Sequence, residues 1–157
     1  MSDILTIGDP APEFVFTPPS GNPTSTTHLR GKPYIVYFYP KDNTPGCTKE
    51  ACGFRDSYSS FQKAGVTVIG ISSDSELSHE KFQKKHELPF ALVSDPDRTI
   101  IEAYGAWGPK KFMGRTFDGI LRITFLIDAE GKIAKIYKKI KPAEHAGNIL
   151  QDIESLT

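Results

Sequence analysis

Three patterns predict an α/β, thioredoxin-like fold for this chain. A continuous apolar run, YIVYFY over Tyr34–Tyr39, reads as a central strand buried on both faces. A helical stretch and a second apolar run, VTVIGI over Val66–Ile71, complete a right-handed β-α-β unit. Two further strands and one amphipathic helix close the chain. The element order is therefore β-α-β, an insertion, then β-β-α, which implies a mixed central sheet flanked by helices. An N-terminal extension precedes the unit, and the insertion stands before the final ββα. At 157 residues with 38% apolar composition, residues 1–157 are expected to form one domain.

The opening GDPAPEFVFTPPSGNPTSTTHLRGKP is rich in proline, which predicts extended segments and turns with a short hairpin. Pro40 ends the central strand, Thr44 stands where it can cap the next helix, and Pro45 suits its first position. That helix is expected to run to about Ala64 and stop at Gly65. Cys47, Ala51, Phe54, Tyr58 and Phe61 recur at steps of four and three and form the stripe facing the sheet. Ser75–His86 reads as a polar helix, Phe90–Val93 as a short strand, and Asp97–Tyr104 as a helix stopped by Gly105. Strands are expected at Ile120–Ile127 and Lys132–Tyr137, joined by the turn DAEGK. The last helix is expected from Pro142, with Ala146, Ile149, Leu150 and Ile153 on one face.

Nineteen basic residues balance nineteen acidic ones, and no long basic run offers a phosphate-tracking surface, so nucleic acid is not an expected partner. No apolar stretch approaches the length of a membrane span, and the N-terminus lacks the pattern of a secretory signal. A cytoplasmic protein without a membrane partner is expected. Two cysteines are too few for a secreted disulfide scaffold, and in a reducing compartment such a pair points to redox chemistry.

Cys47 falls in the first turn of its helix, and Cys52 follows five residues later, outside the apolar stripe. On an ideal helix that spacing puts the Cα atoms roughly 8 to 9 Å apart. A disulfide needs less than about 7 Å. The pair reads as a cycling redox couple, joined when the helix start unwinds. Unpaired N–H groups and the helix dipole at Cys47 favour a thiolate, the nucleophilic form of sulfur. Thr44 can turn its hydroxyl toward the same point, and Pro40 and Pro45 stiffen the loop. Arg122 stands among apolar neighbours in ILRITFLI, where a guanidinium either reaches solvent from an edge strand or needs a partner, for which the Cys47 thiolate is the candidate. Glu50, one turn after Cys47, can hold that arginine in place.

The segment Pro40-Lys-Asp-Asn-Thr44-Pro-Gly-Cys47 resembles the P-x-x-x-T-x-x-C motif of peroxiredoxins, and the continuation TKEAC resembles their bacterioferritin comigratory protein, or PrxQ, subfamily. The similarity extends over GDPAPEF, ISSDS, FALVSDPDRTIIEAYGAWG and RITFLID. It implies a peroxiredoxin-type thioredoxin fold and a thiol peroxidase reducing hydrogen peroxide and organic hydroperoxides. By the same resemblance Cys47 is the peroxidatic cysteine, Thr44 and Arg122 orient the peroxide and stabilise the thiolate, and Pro40 shields the site. Some members of the subfamily carry a resolving cysteine five residues on, others carry it in the following helix, and some lack one; Cys52 matches the first kind. Glu50 agrees with the subfamily pattern. Thioredoxin is the implied reductant, with glutaredoxin as the alternative. No cofactor is expected, and intramolecular resolution suits a monomer.

Competing readings are separable. A thioredoxin-type thiol-disulfide reductase carries two residues between its cysteines, and this chain has four. His28, His79, His86 and His145 are scattered without metal-ligand spacing to a cysteine, which predicts solvated or locally bonded side chains and no zinc site. A non-enzymatic redox-sensing module on the same fold is told apart by whether peroxide oxidises Cys47 far faster than a free thiol. Trp107, in GAWG, is expected in a surface loop, packed against the domain, and the resemblance implies that it lies near the site.

Overall fold

The computed structural model describes residues 5–19 and 21–156. Nine strands and five helices occur among them. The N-terminal extension makes the expected short hairpin, β1 (Val15–Phe16) with β2 (Thr24–Ser25), followed by a single 3-10 turn. The central strand β3 (Tyr34–Phe38) is buried at all five positions. It pairs in parallel with β4 (Thr67–Ser72) and antiparallel with β8 (Ile123–Ile127). With β5 (Ala91–Ser94) and β9 (Ile133–Tyr137) the sheet order is β5-β4-β3-β8-β9. This is the mixed sheet expected for a thioredoxin-like fold.

Strand alternation divides the core into two layers. Val36, Phe38, Ile69 and Ile71 face one side, with α4 (Thr99–Ala103) and the N-terminal segment packed over them. Ile35, Tyr37 and Val68 face the other, covered by α1 (Pro45–Asp56), α2 (Tyr58–Lys63), α3 (Glu76–His86) and α5 (His145–Glu154). Cys47, Ala51, Phe54 and Phe61 lie in this second layer, so four of the five stripe positions are buried, while Tyr58 is half-buried. Phe54 stacks on Tyr37 at 4.8 Å between ring centroids and is fully enclosed. Burying a side chain of that size stabilises the fold by about 1.5–3 kcal/mol, so the sheet holds the second half of α1 firmly.

Several boundaries differ from the sequence reading. The long helix after Cys47 breaks at Ser57, whose backbone (φ −98°, ψ 4°) leaves the helical region in a run of weak helix formers, Asp-Ser-Tyr-Ser-Ser. Helix α4 begins later than expected because Arg98 adopts the left-handed region at φ 62°. Helix α5 begins at His145 rather than Pro142, after a turn closed by Glu144 N–H donating to the Lys141 carbonyl. The insertion holds an unforeseen antiparallel hairpin, β6 (Trp107–Phe112) with β7 (Arg115–Ile120). Trp107 thus begins a strand instead of lying in a loop, and the Arg98 guanidinium sits 4.2 Å from its ring centroid. In the DAEGK turn, Gly131 takes φ 81° while the Asp128 carboxylate accepts from the backbone N–H groups of Glu130 and Lys132.

Candidate active site

The loop from Pro40 to Thr44 joins the buried edge of β3 to the start of α1, and a polar network behind it sets its path. Asp42 is buried and accepts hydrogen bonds from Tyr39 Oη (2.6 Å) and Ser78 Oγ (2.8 Å), with His79 Nδ1 at 2.7 Å. Its own backbone N–H donates to Asp74 at 2.8 Å. Burial pushes the Asp42 carboxyl up, but the bonds from His79 and Tyr39 outweigh it and hold the group below its ordinary value. The loop is thereby tied to β4 and α3. Asp42, Asp74 and His79 offer ligand atoms within 4.8 Å of one another, yet the loop uses all three as hydrogen-bonding groups.

Pro45 occupies the first position of α1, as its missing N–H allows. Thr44 stands at the N-cap, but its hydroxyl does not cap the helix. It donates instead to the Lys41 carbonyl at 2.9 Å, because the left-handed Asn43 (φ 65°) folds the loop back on itself. Cys47 lies in the first turn of α1 with only 1% of its surface exposed.

Arg122 Nη2 donates to Cys47 Sγ at 3.2 Å, and Nη1 of the same guanidinium donates to Glu50 Oε1 at 2.7 Å. One planar fork thus joins the sulfur to a carboxylate a turn further along the same helix. Glu50 is fully enclosed, and burial pushes its carboxyl up to about 7 although Arg122 pulls the other way. Arg122 keeps its charge: desolvation opposes it, but Glu50 and Cys47 outweigh desolvation. The arginine is not inside a strand, as the apolar run suggested. It stands in the joint between β7 and β8, where the chain leaves the hairpin and enters the central sheet. Released from both ladders, its side chain can cross to α1. Gly46 makes room for it, since a Cβ there would stand 3.3 Å from Nη2. The structure therefore gathers Cys47, Arg122 and Glu50, with Thr44 at the helix start and half-buried Pro40 at the end of β3. Cys52 is a free, half-buried thiol further along α1.

A sequence model of the AhpC/TSA family matches residues 7–136. A Coxiella burnetii protein named putative peroxiredoxin bcp is 48% identical over 93% of this chain and 97% of its own length. Peroxiredoxin Bcp of Bacillus subtilis is 42% identical over 98% of each chain. The chain is a peroxiredoxin of the AhpC/TSA family. Its relatives place it in the bacterioferritin comigratory, PrxQ-type branch. Among solved structures, a Xylella fastidiosa PrxQ mutant aligns with a TM-score of 0.88 at 29% identity over 98% of each chain. The Xanthomonas campestris bacterioferritin comigratory protein, described for its alkyl peroxide reduction activity, aligns with a TM-score of 0.83 at 35% identity over 91% of each chain.

Where solvated or locally bonded histidines were expected, His79 and His145 of this peroxiredoxin are buried and hydrogen-bonded to residues distant in the sequence. His79 serves the loop network described above, and His145 is buried behind Glu50. His145 Nε2 shares a 2.8 Å hydrogen bond with Thr124 Oγ1 and lies 3.8 Å from Glu50 Oε2, which has no hydrogen-bond partner among the described residues. Burial, then the Arg122 charge, push His145 down to about 4, so it is neutral behind the site at physiological pH. The signal was present in the sequence: His145, Ile149 and Ile153 share one helical face. Lys110 has no signal in the sequence, because nothing in the apolar pattern marks β6 as a strand. Its ammonium donates to the Ile120 carbonyl at 2.8 Å, and burial followed by the Arg122 charge lowers its pKa. No helix of the described residues is long and apolar enough to cross a membrane.

Proposed function

We propose that this thiol peroxidase works through a Cys47 sulfenic acid and an intramolecular Cys47–Cys52 disulfide. The observation that carries the reading is the shared Arg122 guanidinium, 3.2 Å from the Cys47 sulfur and braced by the buried Glu50. A cation so placed favours the thiolate and stabilises charge developing on the peroxide oxygens as the O–O bond breaks. The Cys47 thiolate attacks one oxygen of ROOH and becomes Cys–SOH, while the other oxygen leaves as RO⁻ and takes a proton. Gly46 and Cys47 N–H groups at the start of α1 add donors at that point. Thr44 has a hydroxyl at the mouth of the same turn, and Pro40 covers its approach. Cys52 then attacks the sulfenic sulfur, which yields the disulfide and water.

Both cysteines lie within one unbroken helix, so resolution requires the start of α1 to unwind. Local unwinding brings the sulfurs together without a second subunit, and the reading is of a single-domain monomer. A dithiol protein of the thioredoxin type reduces the disulfide, with thioredoxin ahead of glutaredoxin, in a cytoplasmic setting. Hydrogen peroxide and organic hydroperoxides are both substrates in this reading. The test couples the protein to thioredoxin, thioredoxin reductase and NADPH, with glutaredoxin and glutathione in a parallel arm. Cys47→Ser should abolish turnover. Cys52→Ser should complete one rapid oxidation and accumulate sulfenic acid. Equal first-turnover rates in Cys47→Ser and the parent would sink the assignment.

A further inference from the structure

Resolution needs a proton to leave Cys52, and an ordinary thiol with a pKa near ~8.5 is mostly protonated at neutral pH. Cys52 lacks the helix-start position and the bonded guanidinium that serve Cys47; the Arg55 charge acts on it without a hydrogen bond to its sulfur. Its sulfur does have a neighbour on another helix: His86 Nδ1, on the last residue of α3, lies 3.9 Å from Cys52 Sγ. The His86 ring packs edge-on against Phe82 at 5.2 Å between centroids, and its Nε2 is buried without a hydrogen-bond partner among the described residues. No structural hydrogen bond therefore pins the ring.

We propose that His86 is a catalytic residue of the resolving step, the general base that takes the Cys52 thiol proton as the sulfur attacks Cys47. The inference rests on the resolving role of Cys52 proposed above. The step balances as follows. His86 accepts the proton from Cys52, the sulfur forms an S–S bond with the Cys47 sulfenic sulfur, and the S–O bond breaks. The departing hydroxide then takes a proton, from the imidazolium or from solvent, and leaves as water.

The arrangement survives the unwinding that resolution demands. Arg55, one turn beyond Cys52, donates from Nη1 to the His86 carbonyl at 2.8 Å and ties the second half of α1 to the end of α3. Phe54 is fully enclosed against Tyr37 and Phe90. The anchored half keeps Cys52 beside His86, and the free first turn carries Cys47 toward them. Lys85 on α3 and Arg55 on α1 are the charged groups whose fields act on the ring, and Arg55 is itself paired with Asp56 and interacts with Cys52 and Glu87. Desolvation first, then these two cations, lower the His86 pKa, so the imidazole is neutral and able to accept a proton at pH 7. Such a base takes the proton as the S–S bond forms and does not hold it beforehand.

The test follows two events after reduced full-length protein is mixed with one equivalent of hydrogen peroxide. Acid quenching and peptide mapping give the loss of the Cys47 thiol and the appearance of the Cys47–Cys52 disulfide. His86→Phe keeps a ring against Phe82 without a base, and His86→Asn keeps a polar group that cannot titrate. Both should slow disulfide formation by about 10²-fold at pH 7. The deficit should shrink as pH approaches about 9, where a thiol ionises unaided. Added imidazole should restore part of the rate in His86→Ala. The amplitude of Cys47 oxidation reports the folded fraction in each variant, so a misfolded variant cannot mimic the effect. Disulfide formation at the parent rate, or a deficit equal at every pH as a mere packing role would give, overturns the assignment of His86 alone. A parent that oxidises Cys47 but never forms the Cys47–Cys52 disulfide refutes the resolving role of Cys52, and the assignment of His86 with it.

Discussion

Replacing Arg122 by Met removes the guanidinium fork while keeping an unbranched apolar stem across the β7–β8 joint. At the 3.2 Å separation of Nη2 and the Cys47 sulfur, Coulomb's law with an effective dielectric of about 20 gives an attraction of roughly 5 kcal/mol. The Arg122 side chain is 24% exposed, so water screens part of this. A hydrogen bond to a charged group in proteins contributes about 1.5–3 kcal/mol, which is the better guide. Stabilising a thiolate also lowers its intrinsic nucleophilicity, with a Brønsted coefficient of about 0.4–0.5, so part of the gain is returned. The expected net effect on peroxide attack is a loss of roughly 4- to 20-fold. The assay is the single-turnover rate of Cys47 thiol loss against peroxide concentration, with thiolate absorbance followed in the same protein. Arg122→Lys should recover only part of the rate, since a point charge cannot reach sulfur and carboxylate together. The variant should fold, because the Glu50 carboxyl, already raised to about 7 by burial, can protonate when its partner is gone. An Arg122→Met enzyme within about twofold of the parent would refute the role given to the guanidinium.

Glu50 is a buried acid raised from 4.5 to about 7, so the folded state binds the extra proton and stability falls as pH rises through that window, by about 3 kcal/mol in total. Glu50→Gln should therefore be relatively more stable above pH 7 in urea titrations; an unchanged pH profile would contradict the burial argument. His145 is held down at about 4 from 6.5, which is the reverse case: stability should fall as pH drops from 6.5 toward 4, by a similar amount. His145→Gln should flatten that acid limb, and a limb as steep as the parent's would count against it. Gly53 has room for a Cβ, whose nearest contact would be the Pro142 carbonyl at 3.5 Å, an ordinary van der Waals distance. Gly53→Ala should stabilise α1 by up to about 1 kcal/mol and slow disulfide formation more than peroxide attack. Amide exchange in reduced and disulfide-bonded protein should show protection lost over the first turns of α1 and kept at Phe54. Equal protection throughout would refute the unwinding.

The local parts of this protein were legible in its sequence because local physics decides them. A proline at the first helical position and a threonine before it set where α1 starts, and hence that Cys47 stands in its first turn. Strand periodicity and the Gly65, Gly105 and Gly131 stops marked the sheet and its turns, since each of these glycines takes a positive φ. Even the contact of Arg122 with Glu50 could be anticipated, as a guanidinium among apolar residues requires an anion. What the sequence left open depends on residues brought together from distant segments. The run ILRITFLI hides a change of sheet at Leu121–Arg122, because an apolar pattern is the same whether a strand continues or hands over to another. Thr44 was placed correctly but its hydroxyl was not, since the fold-back at Asn43 offers the nearer Lys41 carbonyl. His145 behind Glu50, His79 behind the loop, and His86 beside Cys52 belong to helices far along the chain from their partners, and only packing sets those distances. Sequence alone determined which sulfur stands at a helix start; the tertiary structure decided which charges and which bases surround each sulfur, because those fields depend on separation in space and not along the chain.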